Sequence, residues 1–412
     1  MIFRSINNTY AVLDQVLVSG GNFLTILICA YFFSPDEQGK LGFILSVYMG
    51  LMVVNQTFLF QQAAIDYPRK KNKTQYRTSL AKSQFMVAIM AGSAGMVLLF
   101  LMSGLSDWVM KAEEMIVVSF YFFIQQLTDC SRRASYIFYS AKKSALFSCI
   151  TYIPRIFLLL AIKPEDVTTA FLLMSIASMV VVIIDWRVVI KSRFKFSYEF
   201  NSLRRQGGKK KWLLMTGLFS WVASALPVYF LGAFGSMSQV GIYITLRSIV
   251  GVANVFLEIV ETEISSKAGK AYLKSVAILD NLLRKVSALG VIFWITGAIF
   301  FHFFNEKLML YFYRDIYLGY GIAFQIMWIG IGITFLFRIN AVKLRTIGES
   351  RITAEAYSVA VLIIIISGYL MKENFSIYSA AYLICMGATA NFFFQVVRQK
   401  YLCFEKERVE YD

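Results

Sequence analysis

Apolar runs of about twenty residues recur along the whole sequence, and a run of that length is what a helix needs to cross a bilayer. Twelve can be read, near 11–33, 41–62, 84–103, 115–137, 145–162, 168–190, 212–234, 241–261, 286–304, 317–337, 354–371 and 377–397. The composition agrees: 58% of residues are hydrophobic and the mean hydropathy is +0.61. A soluble domain is about 45–50% apolar. The expected fold is all-α integral membrane, with twelve transmembrane helices. The first ten residues are mostly polar with one arginine, so the first span is expected to act as a retained signal-anchor.

The spans repeat. Ala11–Phe33 and Leu41–Gln62 flank the polar turn Ser34-Pro-Asp-Glu-Gln-Gly-Lys40, and the same order returns 202 positions later. There, Leu213–Phe234 and Gly241–Glu261 flank Gly235–Val240, and Gly39 falls on Gly241. The starts Gln84 and Met115 keep the offset, against Val286 and Tyr317. Self-similarity at a fixed period marks a duplicated unit, here one of six helices. The expected organisation is a bundle over 1–190, a basic linker over 191–211, a second bundle over 212–397 and a tail over 398–412. Six helices return the chain to its starting side, so the two units insert in the same orientation. Parallel repeats related by an axis along the membrane normal are a transporter architecture, with substrate held between the halves. This predicts two parallel-repeat six-helix bundles around a central cavity.

Charge orients the spans. A net charge of +16 could suggest nucleic acid, but the cations alternate loop by loop. Of 41 Lys and Arg, 33 fall on the side holding both termini, six fall in the opposite loops, and Arg155 and Arg247 remain within spans. The positive-inside rule places both termini in the cytoplasm, and the charge is accounted for without nucleic acid. Trp108, Trp186 and Trp212 mark span ends, as an aromatic belt expects. In the linker, Phe194, Phe196, Tyr198 and Phe200 alternate with polar residues beside Arg204-Arg205-Gln-Gly-Gly-Lys-Lys-Lys211. That pattern fits either an ordinary basic linker or a segment lying on anionic lipid. Five scattered cysteines without C-x-x-C spacing and a single histidine, His302, argue against a disulfide framework or a metal site. The outer loops are short, which leaves no extramembrane domain for a soluble active site and weighs against an enzyme.

Charges inside spans are costly and usually face a bundle interior or an aqueous cavity. Arg155 lies about 15 Å into the fifth span, directly after Pro154, whose ring kinks the helix. It reads as an anion-binding residue, with a structural pair to a buried carboxylate as the alternative. Arg247 reads as a second such residue, or as one snorkelling to the outer headgroups. Gln125, Asp129 and Arg132 share one face of the fourth span. Arg132, Arg133 and Arg338 are either cavity residues or plain positive-inside residues. Asp14 and Glu258 are candidates for coupling a proton or cation, or for pairing with an arginine. Asn22, Gln56, Asn254 and Asn391 either line the cavity or, as the default, join helices by hydrogen bonds, and Pro227 reads as a kink in the seventh span. Guanidinium suits bidentate phosphate recognition, so an interior richer in arginine than in carboxylate points to an anionic ligand.

At Leu13-Asp14-Gln15, Phe33-Ser-Pro-Asp-Glu-Gln-Gly39 and its echo Gly235-Ser-Met-Ser-Gln-Val-Gly-Ile-Tyr243 the chain resembles a known family. It is similar to the bacterial O-antigen and polysaccharide repeat-unit flippases of the MATE-like multidrug/oligosaccharidyl-lipid/polysaccharide (MOP) exporter superfamily. Basic tracts after the second and eighth spans add to the likeness, which covers essentially the whole chain through degenerate motifs. The resemblance implies two six-helix lobes around a cationic cavity in the bacterial cytoplasmic (inner) membrane. The implied substrate is an undecaprenyl-diphosphate-linked oligosaccharide, moved from the cytoplasmic to the periplasmic leaflet by alternating access for O-antigen or related lipopolysaccharide and polysaccharide biosynthesis. Arg155, Arg247, Arg132, Arg133 and Arg338 would hold diphosphate and sugar. Asp14 and Glu258 would serve a coupling proton or sodium ion, with no other cofactor. Membrane lipids, a polysaccharide polymerase and chain-length machinery are the implied partners. A cation-coupled multidrug antiporter of the same fold is the alternative, although a cationic drug favours carboxylates over arginine. Lipid II flippases of this superfamily typically carry two further spans. A polymerase or ligase would be expected to show a large catalytic outer loop and no internal repeat.

Overall fold

In the computed structural model the described residues of each of the twelve spans are helical. The structure describes residues 6–60, 63, 67, 71–103, 110–185, 211–312 and 318–411. The helices are α1 (Ile6–Phe32), α2 (Pro35–Asn55), α3 (Lys73–Ser103), α4 (Ala112–Phe138), α5 (Ala141–Ile162) and α6 (Val167–Asp185). They continue as α7 (Lys211–Phe234), α8 (Met237–Tyr272), α9 (Val276–Phe312), α10 (Gly321–Thr346), α11 (Ser350–Leu370) and α12 (Ile377–Tyr411). A π-helical turn, Gln56–Phe60, extends α2. Trp108, Trp186 and all of the linker before Lys211 lie outside the described residues. Among the described residues nine helices are long and apolar enough to cross a membrane. The polar stretch Gln125–Arg133 interrupts α4, which is not one of the nine, and neither are α2 and α8.

Helices run past their apolar cores where Lys, Glu and Gln, all good helix formers, continue the chain without a breaker. Thus α3 begins at Lys73, α8 reaches Tyr272 and α12 reaches Tyr411. The expected tail is therefore largely a continuation of α12. Both α5 and α7 remain continuous through Pro154 and Pro227.

The duplication is visible in the starts of α2 and α8. Ser34 accepts from the backbone N–H of Glu37 at 3.3 Å, and Ser236 accepts from that of Gln239 at 3.3 Å. Each serine fills the N-cap role, satisfying an amide the helix leaves open, and the two are 202 residues apart. Proline at the first position of α2 and Asp36 and Glu37 in its first turn reinforce that start.

The chain forms two compact units. One comprises Met1–Gly217 with Ser236–Ser248, the other Leu218–Gly235 with Ile249–Asp412. The first turns of α7 and the first part of α8 thus group with the amino-terminal helices. In the first unit α4 packs on α3, α5 and α6, α5 on α1 and α6, and α2 on α3. In the second, α10 packs on α9, α11 and α12, and α11 on α12. Third on fourth, fourth on fifth and sixth, and fifth on sixth therefore recur. The contact of α1 with α5 is matched in the second unit by α7 with α11, where Tyr357 bonds Ser220 and Gly368 abuts Phe230.

The interiors differ in chemistry. In the second unit the α9–α10 seam is aromatic: the Trp294 and Trp328 rings lie 4.3 Å apart, and Trp328 Nε1 donates to the Trp294 carbonyl at 2.9 Å. The buried face of α10 runs through Phe324, Met327, Trp328, Ile331 and Phe335, without a charged or amide side chain. Its counterpart α4 buries Gln125, Gln126, Asp129 and Arg132.

Candidate functional site

The site grows from that polar face of α4. Residues 125, 129 and 132 are spaced to lie on one side of a helix, and all three are buried. Arg132 Nη1 donates to Asp14 Oδ2 of α1 at 2.8 Å, and Ser148 of α5 donates to Asp14 Oδ1 at 2.5 Å. One carboxylate thereby ties three helices. Asp129 Oδ2 accepts from the Tyr48 hydroxyl of α2 at 2.5 Å. Asn55 at the end of α2 donates to Gln126 Oε1 at 2.7 Å and lies 2.9 Å from Cys130 Sγ.

Arg155 forms the deepest part. It is 1% exposed, the largest fully buried side chain among the described residues. Its Nη2 donates to Gln125 Oε1 at 2.6 Å and to Ser178 Oγ of α6 at 3.0 Å. The guanidinium also stands 4.8 Å from the centre of the Tyr152 ring, and Tyr152 is bonded to Asn22 of α1. Its hydrogen-bond partners are a neutral amide and a hydroxyl, not the buried carboxylate of the structural alternative.

The charge in this interior does not balance. Among the described residues the buried charged side chains are Asp14, Asp129, Arg132 and Arg155, with Arg133 half-buried next to Arg132. The cluster thus holds three guanidiniums against two carboxylates, in a setting where an uncompensated charge costs several kcal/mol. The Nε atoms of Arg132, Arg133 and Arg155 are buried without a hydrogen-bond partner. These unsatisfied donors give the first unit unused capacity for acceptor oxygens. Among the described residues no three His, Cys, Asp or Glu side chains gather as metal ligands.

The other sequence candidates lie on α8, on α10, on α12 and in the π-turn that extends α2. Arg247 is half-buried on the part of α8 that belongs to the first unit. Arg338 belongs to the second unit, its Nη1 3.8 Å from Glu261 Oε2, and Arg345 also pairs with Glu261. The side chains of Glu258 and Asn254 lie outside the described residues. Gln56 is half-buried in the π-turn, while Asn391 is buried and accepts from Gln395 at 2.7 Å.

Sequence reasoning missed Tyr48, Asn55, Ser148, Tyr152 and Ser178. A serine in an apolar run carries little signal, since its hydroxyl can bond the carbonyl one turn back, and Ser178 Oγ does lie 2.9 Å from the Met174 carbonyl. Polar residues on successive spans at matching depth were the available clue.

No family model and no curated protein sequence matches the chain. Solved structures do match it. An inward-facing multidrug resistance MATE family transporter of the MOP superfamily superimposes with a TM-score of 0.68 at 14% identity, over 98% of this chain and 96% of that one. The lipid II flippase MurJ in its inward closed conformation gives 0.72 at 13% identity, over 96% and 87%. A MOP superfamily transporter from Pyrococcus furiosus, described by a reversed polarity of its binding pocket, gives 0.59 at 13% identity over 95% and 94%. At such identities the likeness is one of architecture, and the chain has the all-helical membrane fold shared by MOP superfamily transporters.

Proposed function

We propose that the chain is a flippase that carries undecaprenyl-diphosphate-linked oligosaccharide repeat units, of O-antigen or a related surface polysaccharide, from the cytoplasmic to the periplasmic leaflet of the bacterial inner membrane. The observation that carries this reading is the guanidinium surplus of the cluster around α4, where among the described residues Arg132, Arg155 and half-buried Arg133 stand against Asp14 and Asp129, with Nε donors left without a hydrogen-bond partner. A diphosphate supplies the missing negative charge and planar acceptor edges that arginine binds bidentately. Arg155 is sealed from solvent in this conformation, so a headgroup reaches it only when the surrounding helices part, as alternating access requires. Arg132, Arg133 and Arg247 of the same unit are further contacts for phosphate or sugar in this reading. Both termini are cytoplasmic in this reading, and the product passes to a polymerase and chain-length machinery.

A cation-coupled multidrug antiporter is the second reading, favoured by the buried Asp14 carboxylate on α1 and by the fold shared with a MATE transporter. As Asp14 is ion-paired with Arg132, its use as a cation site would require that pair to open.

The test is deletion in the host, with surface polymer and lipid-linked oligosaccharides assayed by leaflet. Loss of polymer with repeat units confined to the cytoplasmic leaflet is the expected result. Single repeat units still reaching the surface without polymer would indicate a polymerase. Unchanged polysaccharide with altered drug sensitivity would favour the antiporter.

A further inference from the structure

Cations and aromatic rings cluster around the two-residue turn that joins α4 to α5. Tyr139 is 59% exposed, yet its ring carries two cations. The guanidinium carbon of Arg77 lies 4.7 Å from the ring centre, and the Lys143 Nζ 4.1 Å. Arg77 is fixed by the Tyr67 hydroxyl and by a 3.1 Å bond from its Nη2 to the Phe138 carbonyl. Its Nε is buried without a hydrogen-bond partner. Lys73 lies 5.6 Å from the centre of the Tyr67 ring, and Lys142 is exposed beside Lys143. Among the described residues Asp185, 3.3 Å from Lys143, is the carboxylate ion-paired in this group. Among the described residues these four cations, with Asp185 ion-paired to one of them, make an anion-attracting patch.

A second observation identifies the kind of anion. The face of α5 that starts at exposed Lys142 continues through Leu146, Ile153, Phe157 and Leu160, which are 54%, 57%, 69% and 49% exposed. At 100° per residue these five positions fall within about 60° of arc. A cation therefore heads an exposed apolar track that runs into the span. Free phosphate would make no use of that track, whereas a phospholipid fills both parts.

We propose that the α4–α5 turn is a binding site for an anionic phospholipid. Its headgroup phosphate is held by Arg77, Lys142 and Lys143 beside the Tyr139 ring, and one acyl chain lies along Leu146–Leu160. The charge bias of the loops puts this turn at the inner leaflet, where anionic lipid attracts basic clusters. The assignment is independent of the transport reading, because its readout is lipid retention.

The experiment is native mass spectrometry of the purified full chain, titrated with phosphatidylglycerol and phosphatidylcholine of identical acyl chains. Phosphatidylglycerol is expected to be retained preferentially. Lys142→Gln should lower that preference about fivefold, the worth of one interfacial cation, with phosphatidylcholine, whose choline cation offsets its phosphate, affected less. Phe157→Ser should weaken retention of both lipids. Thermal unfolding of each variant reports whether it remains folded, and Lys142, being exposed, can change without disturbing packing. Equal retention of the two lipids by the native chain would overturn the proposal, as would an unchanged preference in Lys142→Gln. Glycerol phosphate binding as tightly as phosphatidylglycerol would show a small-anion site and overturn it as well.

Discussion

Gly39 and Gly241 meet backbone to backbone where α2 and α8 cross. A Cβ on Gly39 would fall 1.9 Å from the carbonyl oxygen of Met237, and one on Gly241 would fall 2.1 Å from that of Pro35. The contact is reciprocal: each glycine faces the carbonyl four residues before the other. Gln38 seals it with a 3.3 Å bond from its Nε2 to Thr245 Oγ1. The repeat-equivalent glycines found by sequence are thus also spatial partners, within one compact unit.

Because backbone occupies the space a methyl would need, Gly39→Ala and Gly241→Ala should each destabilise the protein by about 1–3 kcal/mol. The double variant should lose less than the sum, since either methyl already opens the crossing. Thermal unfolding in detergent measures this. Native-like stability of both single variants would show that the helices do not meet as described.

Ion pairs in the two units should differ sharply in worth. Asp14→Asn leaves the Arg132 guanidinium buried without its carboxylate and should cost about 3–5 kcal/mol, most of which Asp14→Asn combined with Arg132→Met should recover. Glu261, whose side chain is 24% exposed in its pairs with Arg338 and Arg345, lies nearer to water. Glu261→Gln should cost about 1 kcal/mol or less. A double-mutant cycle on Asp14 and Arg132 checks the first value, and a coupling near zero would contradict it.

Arg155→Ala should abolish transport while the protein still accumulates in the membrane. Its partners survive without it, since Ser178 Oγ lies 2.9 Å from Gln125 Oε1 and can donate to it. Arg155→Lys keeps the charge but not the bidentate fork and should retain part of the activity. Complementation of a deletion strain, alongside membrane protein levels, separates the outcomes. Full transport by the alanine variant would remove Arg155 from the binding role.

Orientation can be read directly. Arg351 and Lys372 are exposed at opposite ends of α11. With a cytoplasmic amino terminus, Lys372→Cys should react with an impermeant maleimide in intact spheroplasts, and Arg351→Cys only after lysis. The reverse pattern would invert the topology.

The sequence by itself determined the number of spans, their order and their duplication. These follow from local quantities: the length of an apolar run, the serine that caps α2 and its counterpart before α8, and the offset between Gly39 and Gly241. It also placed Gln125, Asp129 and Arg132 on one face, since helical spacing does that before any partner is known. Only the tertiary structure decided what that face meets. Asp14 and Arg132 are 118 residues apart, and no periodicity in either helix announces the pair. Arg155 could equally have found a carboxylate, yet the rotation of α5 against α4 and α6 brought Gln125 and Ser178 to it. The reason is that hydropathy records how far a helix goes into the bilayer, while pairing depends on how each helix is turned about its axis. Packing against neighbours sets that turn, through contacts such as Gly21 against the ring of Tyr152.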